Sequence, residues 1–227
     1  MQRGADGKKT PYTELIPQDP AVRAFLQPFQ SNGEARLNVP VGSADGVLIG
    51  DRDVVRKVPT NLGVLVARAM MERTGADLAL VNSGGVRDSL PAGAISYRDV
   101  LKVQPFSNTV AVVQMPGSEL LGFLQAAAKM TPGSGAFPQT AGVQMQIEAG
   151  QLRDARIGGQ PIDARRLYRL AVTNFTATGG DGYPKLTGHP GYVDSGFVDA
   201  DVLRAYIARR SPLKVADYEP GDMVTRR

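Results

Sequence analysis

An apolar, β-branched run that passes directly into a glycine-rich segment is the strongest constraint on the fold of this chain. The run, Leu167–Thr173, is typical of a buried strand. The segment, residues 174–183, places three glycines around one carboxylate, Asp181. Glycine permits positive φ and lets another molecule approach the main chain closely. Phe175 lies where the strand ends, so its ring can face a cleft and need not enter the core.

The residues of this loop leave two interpretations open. An aromatic ring and a carboxylate six residues apart suit a sugar with a flat base attached. The ring would stack on the base, and the carboxylate would accept hydrogen bonds from vicinal hydroxyls. The alternative is a plain glycine-rich turn whose aspartate bonds its own backbone.

Composition excludes several kinds of chemistry. At 227 residues, 42% of them apolar, the chain can bury a core as one large domain or one domain with an appendage. It has no cysteine, which excludes disulfides, zinc–thiolate sites and thiol nucleophiles. Its single histidine, His189, is expected to be a solvated loop residue, since a hydrolytic metal centre usually draws on several imidazoles. We therefore predict no metal site and no catalytic residue in this chain.

The charge pattern limits the partners. A net charge of +4 favours anionic ligands, but the dense stripe of Lys and Arg of a nucleic-acid-binding protein is missing. No run approaches the roughly 18 apolar residues of a membrane span, and no signal peptide is visible. Neither nucleic acid nor a membrane is expected as a partner. Serine-nucleophile and Walker-type motifs are also absent, so the residues by themselves indicate binding without catalysis.

The first part of the chain is predicted to be a connector. Residues 1–18 are polar and contain two prolines, which indicates a tail or the remnant of a preceding domain. Asp19 and Pro20 predict a helix start, as N-cap and first helical residue. The helix is expected to end near residues 31–33, and Pro28 is expected to kink it or end it early.

The rest of the chain mixes helices and strands without a regular βαβ repeat, which favours an α+β fold with a mixed sheet. Residues 19–39 would link the first segment to one domain covering residues 40–227. Four helices are predicted from their N-caps, which are Thr60 or Asn61, Ser96, Ser118 and Asp199, and Gly75 ends the first of these. Predicted strands cover residues 35–41, 77–81, 109–115, 143–147 and 167–173, Gly158 and Gly159 turn a hairpin, and residues 131–140 and the stretch from 184 to about 198 are predicted loops.

Four loops carry side chains that suit a nucleotide. Arg52, Arg56 and Arg87 are candidates for phosphate, because a guanidinium donates two parallel hydrogen bonds and stays charged. Phe106 and Phe175 could stack on opposite faces of one base, each contributing about 1–3 kcal/mol.

Asn108 offers both a donor and an acceptor to a base edge. Against these roles stands the ordinary expectation that arginines are solvated and phenylalanines lie in the core. The sequence alone does not show that the four loops converge.

Four ordered motifs resemble the C-terminal domain of the 5′-nucleotidases, most closely the bacterial periplasmic UDP-sugar hydrolase/5′-nucleotidase type. The motifs are residues 60–63 (TNLG), 82–89 (NSGGVRDS), 105–108 (PFSN) and 174–183 (NFTATGGDGY). The likeness runs from about residue 10 to the end of the chain. It implies a layered mixed-sheet domain preceded by a linker helix.

The resemblance also implies roles for the site residues. Phe106 and Phe175 would sandwich the base. Asn108 would meet the base edge with the backbone of Gly135 nearby, and Asp181 would bind the ribose.

Arg52, Arg56 and Arg87 would hold the phosphate side of the substrate. In this family the two divalent metal ions and the catalytic pair belong to an N-terminal metallophosphoesterase domain, which is missing here apart from a remnant in residues 1–18. The resemblance thus implies a periplasmic hydrolase, with AMP, UMP, similar nucleotides and UDP-sugars as ligands, the N-terminal domain as partner, and no activity of this chain alone. A protein-interaction module and a self-sufficient phosphatase are the alternatives.

Overall fold

The computed structural model describes residues 2–3, 9–10, 19–221 and 223–226. The chain divides into two compact units, Met1–Val39 and Pro40–Arg227. In the first unit, β1 (Gln2–Arg3) and β2 (Lys9–Thr10) pair antiparallel. The rest of the predicted tail or domain remnant at residues 1–18 lies outside the described residues.

The longest described element of the first unit is a helix, α1 (Pro20–Leu37). It begins as expected, because the Asp19 carboxylate accepts a hydrogen bond from the Ala21 amide at 2.8 Å. It does not end near residues 31–33, and the strand predicted for residues 35–41 is wrong for its first five residues, because β3 begins only at Pro40. Pro28 removes only one backbone donor, and the helical hydrogen bonds continue as far as the Asn38 amide, 2.9 Å from the Glu34 carbonyl oxygen.

The second unit is built from short helices and strands. The helices are α2 (Arg52–Val55), α3 (Asn61–Thr74), α4 (Tyr97–Val103), α5 (Gly117–Ala128), α6 (Asn174–Ala177) and α7 (Asp199–Arg210). The strands are β3 (Pro40–Ala44), β4 (Leu78–Asn82), β5 (Gly93–Ser96), β6 (Thr109–Pro116), β7 (Pro138–Ala141), β8 (Val143–Glu148), β9 (Gln151–Ile157), β10 (Gln160–Pro161), β11 (Leu167–Thr173), β12 (Tyr192–Val198) and β13 (Val224–Arg226).

A five-stranded mixed sheet lies at the centre of this unit, in the order β12-β6-β11-β4-β7. β11 and β4 are parallel, and the other neighbours are antiparallel. A smaller sheet has the order β10-β9-β8-β13, and β3 pairs with β5. The predicted α+β fold with a mixed sheet is confirmed.

The inner strands of the central sheet are buried on both faces, whereas the edge strand β12 is largely exposed. In β4, Ala79 and Val81 join an apolar cluster with α3 and α7, whereas Leu78 and Leu80 join a second cluster with α5 and the smaller sheet. A strand covered on both faces needs apolar residues at every position, so β4 and β11 are almost continuously apolar. β8 has one buried face, and its side chains alternate accordingly.

Local signals located most of the helix ends. The Thr60 hydroxyl caps α3, Gly75 ends it with φ 63°, and Ser96 and Asp99 form a capping box at α4. The cap predicted at Ser118 is wrong, because α5 begins at Gly117 after Pro116 and Ser118 is its second residue. Asp199 is the first residue of α7 and not its cap.

Two strands lie in stretches that were predicted as loops. β7 falls at the end of residues 131–140, and its sequence, PQTA, has little strand propensity; pairing with β4 makes it a strand. β12 is an edge strand with an irregular register and Gly196 at φ 70°. Near the end of the chain, Leu213 and Tyr218 are buried although the surrounding stretch is mostly polar. Among the described residues, no helix is both long and apolar enough to cross a bilayer.

Candidate functional site

Four loops meet at one edge of the central sheet because four strands begin or end there. The parallel strands β4 and β11 both run towards this edge and end at Asn82 and Thr173. The antiparallel strands β6 and β7 start there, since Val110 pairs with Thr173 and Pro138 pairs with Asn82. Loops at the carboxyl ends of parallel strands are a common place for ligand sites.

A cavity of about 470 Å³ lies between these loops. It brings together six of the eight predicted site residues: Arg56, Phe106, Asn108, Gly135, Phe175 and Asp181. Arg52 and Arg87 are not part of its lining, although both lie near enough to Arg56 to act on its charge. The remaining lining residues are Asn82, Gly84 and Gly85.

Two phenyl rings at this cavity are kept out of the core. Phe106 is 55% exposed and Phe175 is 41% exposed, whereas Phe123 and Phe137 are buried. The Arg87 guanidinium carbon lies 5.7 Å from the centre of the Phe106 ring, within cation–π range. Exposed aromatic rings at a concave surface offer apolar faces to a ligand.

The backbone around Phe175 holds its ring in place. The Asn174 side-chain oxygen accepts from the amides of Phe175 (2.8 Å) and Thr109 (3.3 Å), which ties the end of β11 to the start of β6. A Cβ at Gly180 would lie 2.5 Å from a Phe175 ring carbon and 2.6 Å from its carbonyl oxygen. The glycine is therefore required for the ring to pack beside the loop.

Asp181 is held by a side chain that sequence reasoning did not single out. Asn82 donates from Nδ2 to Asp181 Oδ2 at 2.7 Å, so the end of β4 orients the carboxylate. Asp181 has φ 55°, and so does Ser107 between Phe106 and Asn108. Such backbone costs a non-glycine residue on the order of 1 kcal/mol, and strain of this kind collects at binding sites.

The three arginines form a cluster of positive charge. Burial lowers the pKa of Arg56, and repulsion from Arg52 and Arg87 lowers it further, although Asp181 and Asp53 act in the opposite direction. Arginine salt bridges in the described part of the chain belong to other residues, namely Arg153, Arg156, Arg204, Arg209 and Arg210. The cluster thus has positive charge to offer to an anion.

A buried glutamine supports the segment that carries Arg56. Gln139 on β7 donates to the carbonyl oxygens of Val55 (2.7 Å) and Val58 (2.9 Å) and accepts from the Thr60 amide (2.9 Å). No sequence signal marked Gln139, because its partners lie about 80 residues earlier in the chain. Asn82, in contrast, is the first residue of the motif at residues 82–89 and could have been identified from that motif.

The histidine is not the solvated residue that we expected. His189 Nε2 lies 3.0 Å from Glu119 Oε2 on α5, and Nδ1 accepts from the Gly191 amide at 2.9 Å. Its side chain is only 20% exposed. His189 therefore ties its loop to a helix. Over the described ranges, no group of three or more His, Asp or Glu side chains is arranged to hold a metal ion.

A larger cavity, of about 650 Å³, lies on the outer face of β8 and β9. Its charges are mutually paired, Glu148 with Arg153 at 3.0 Å and Asp154 with Arg156 at 2.6 Å. None of the described residues that line it is aromatic. It lacks the unpaired charge and exposed rings of the smaller cavity, which we take as the candidate site.

Comparison with known proteins gives consistent matches. Residues 40–188 match the family model described as 5′-nucleotidase, C-terminal domain. Protein UshA of Escherichia coli (strain K12) is 51% identical over 222 residues, which are 97% of this chain and 40% of that protein. A 5′-nucleotidase of Vibrio cholerae is 48% identical and covers 94% of this chain and 39% of its own length.

A solved structure agrees with these matches. The 5′-nucleotidase precursor from Thermus thermophilus superposes with a TM-score of 0.79 at 28% identity, over 94% of this chain and 44% of that chain. The chain spans about 40% of the length of the curated relatives it matches. Since the family model covers most of residues 40–227, the chain belongs to the family of 5′-nucleotidase C-terminal domains.

Proposed function

We propose that this chain is the nucleotide-recognition domain of a 5′-nucleotidase/UDP-sugar hydrolase. It binds the base and ribose of the substrate and presents the phosphate to a metal centre in a domain absent from this chain. One observation carries the proposal: two half-exposed phenyl rings, an amide, a carboxylate and a guanidinium line one cavity. Each of these groups suits one part of a nucleotide.

The base enters between Phe106 and Phe175. Stacking on an aromatic side chain contributes about 1–3 kcal/mol per base and tolerates different bases, because each has a π face. This agrees with ligands as different as AMP, UMP and UDP-sugars. Asn108 meets the edge of the base.

The ribose hydroxyls bind Asp181. Asn82 occupies Oδ2 of this carboxylate, and Oδ1 has no partner in the described part of the protein. Oδ1 is thus available to accept a hydroxyl hydrogen. The backbone of Gly135 borders the same space: a Cβ on it would lie 3.5 Å from Asp181 Oδ2.

The phosphate side lies towards Arg56, and Arg52 and Arg87 are close enough to act on its charge. Three guanidinium groups in one region repel each other, and a bound phosphate relieves that repulsion. Phosphate binding is therefore expected to weaken steeply with added salt.

Hydrolysis itself belongs to the absent domain. In the whole protein, two divalent metal ions would supply an activated water as nucleophile. This chain supplies positioning, which can account for a large part of a rate enhancement. We accordingly propose a periplasmic enzyme whose metallophosphoesterase domain is the partner of this one, with no activity of the chain alone and neither nucleic acid nor a membrane as a partner.

Calorimetric titration of the chain with AMP, UMP and UDP-glucose, with and without a divalent metal, tests the proposal. We expect saturable binding that does not depend on the metal. Phe175→Ala should weaken AMP binding at least tenfold, equal to about 1.4 kcal/mol. The matched control is Phe197→Ala. Phe197 lies on β12, and its ring is 37% exposed and packs under the Arg73 guanidinium.

Other outcomes would favour the alternatives. Equal loss in both phenylalanine variants, or no binding by the wild-type chain, would contradict nucleotide recognition and leave the protein-interaction module. Turnover of AMP by the chain that EDTA abolishes would indicate a self-sufficient phosphatase.

A further inference from the structure

Asn108, the residue proposed to meet the base, is held from behind by Asp199. The two residues are 91 positions apart in the chain: Asn108 directly precedes β6, and Asp199 is the first residue of α7. The Asp199 amide donates to the Asn108 carbonyl oxygen at 2.8 Å, and Asn108 Nδ2 lies 3.4 Å from Asp199 Oδ2. Backbone and side chain of Asn108 are thus both tied to one residue.

Asp199 is a buried carboxylate, 3% exposed, and its other oxygen accepts from the Ala200 amide at 2.8 Å. Burial raises its pKa to about 6, partly offset by the hydrogen bonds from Ala200 and Asn108, and the nearby charge of Asp201 raises it further. At neutral pH the group is therefore mostly ionised, and an ionised carboxylate can only accept hydrogen bonds.

An acceptor on one side determines how an asparagine amide is oriented. The amide has one donor end and one acceptor end, and only the NH₂ end can face a carboxylate. With Nδ2 directed at Asp199, Oδ1 is the end left for the cavity that Asn108 lines. A base that meets Oδ1 must offer it a hydrogen.

We infer that Asp199 is a positioning residue that orients the Asn108 amide with Oδ1 towards the ligand, so that the site selects bases carrying an N–H donor at the contacted edge. The amino groups of adenine and cytosine and the imino N–H of uracil and guanine meet this requirement. A purine without an exocyclic amine does not. The inference rests on the proposed nucleotide-binding function and concerns which bases the same site prefers.

The test compares AMP with purine riboside 5′-monophosphate, which keeps the ring, ribose and phosphate but lacks the amino group. For the wild-type chain at pH 7.5 we expect AMP to bind about tenfold more tightly, the value of one net hydrogen bond. Asp199→Asn keeps the size of the side chain but can donate or accept, so the amide orientation is no longer imposed. The AMP preference should then fall to about threefold or less.

Asp201→Asn is the matched control. It removes the same charge two residues away on the same helix, where the carboxylate is about half exposed and lies 3.6 Å from Arg204. It should keep the wild-type preference. Asn108→Ala should abolish the preference without altering Asp199 itself, which keeps the test available if Asp199→Asn does not fold.

Three results would overturn the inference: no preference for AMP in the wild-type chain, an unchanged preference in folded Asp199→Asn, or an unchanged preference in Asn108→Ala. A general loss of affinity for both nucleotides in Asp199→Asn, with the ratio intact, would show a structural role only. Failure of both nucleotides to bind the wild-type chain would overturn the proposed function itself, and so the two failures can be told apart.

Discussion

Two charged faces of this domain, the outer face of β8 and β9 and the cavity edge of the central sheet, differ in how their charge is balanced. On the outer face of β8 and β9, each arginine has a carboxylate neighbour, Glu148 for Arg153 and Asp154 for Arg156. At the cavity edge of the central sheet, Arg56 lies close to two further arginines, Arg52 and Arg87, and none of the three has a salt bridge in the described part of the chain. Arginines that already pair with carboxylates attract an added anion weakly, whereas arginines without a salt bridge attract it strongly.

The two faces differ equally in what supports them. The outer face consists of exposed and half-exposed side chains on two neighbouring strands, β8 and β9. The cavity edge depends on buried polar side chains whose hydrogen bonds reach distant parts of the chain, Asn82 to Asp181, Gln139 to the α2 segment and Asp199 to Asn108. The comparison predicts that equivalent substitutions have large effects at the cavity edge and small ones on the outer face.

The largest effect is expected from Gln139→Ala. It leaves the carbonyl oxygens of Val55 and Val58 and the Thr60 amide without their partner in a buried setting. We expect the free energy of unfolding to fall by about 2–4 kcal/mol, measured by urea denaturation. Gln146→Ala, on the exposed face of β8, should change it by no more than about 0.5 kcal/mol. Similar losses in both variants would remove the distinction between the two faces.

A pH-dependent effect is expected at Asp199. Its pKa of about 6 in the folded protein lies above the value of about 3.9 for an unfolded aspartate. Between these values the folded state binds more protons, so stability is greatest below about pH 4 and falls as the pH rises through 6. The wild-type advantage over Asp199→Asn should therefore be larger at pH 4 than at pH 7, by about 2–3 kcal/mol.

Chemical denaturation at the two pH values measures this difference. Asp154→Asn, from the outer face, corrects for the loss of one negative charge. A difference between wild type and Asp199→Asn that stays constant from pH 4 to pH 7 would contradict the assignment of a perturbed carboxylate.

The smallest effects on stability are expected from substitutions of arginine, which should differ instead in their effect on nucleotide affinity. Arg56→Gln should weaken UMP binding about tenfold and leave stability unchanged or slightly higher, because it relieves repulsion within the cluster. Arg153→Gln breaks an exposed salt bridge and should cost no more than about 1 kcal/mol, with UMP affinity unchanged. Calorimetry and thermal denaturation measure the two effects. Equal effects of the two variants on UMP affinity would show that the paired and unpaired arginines do not differ.

The chain's own sequence was sufficient where structure depends on neighbouring residues or on periodicity. The caps at Thr60 and Ser96, the end of α3 at Gly75 and the one-sided strand β8 follow from interactions within a few residues. The ordered motifs were enough to indicate the family, and the candidate residues came from loops next to recognisable strands. Local patterns predicted the structure poorly at Pro28, where the helix continues, and at β12, which was predicted as a loop.

Only the tertiary structure decided which loops meet and which polar side chains hold them. β7 is a strand because β4 lies beside it, Gln139 matters because the α2 segment folds over it, and Asp199 reaches Asn108 across 91 residues. Each of these contacts joins residues that are far apart in the chain, so no short window of sequence records it. Hydrogen bonds within one turn can be inferred from the residues that make them, whereas those between distant segments depend on how the whole domain packs.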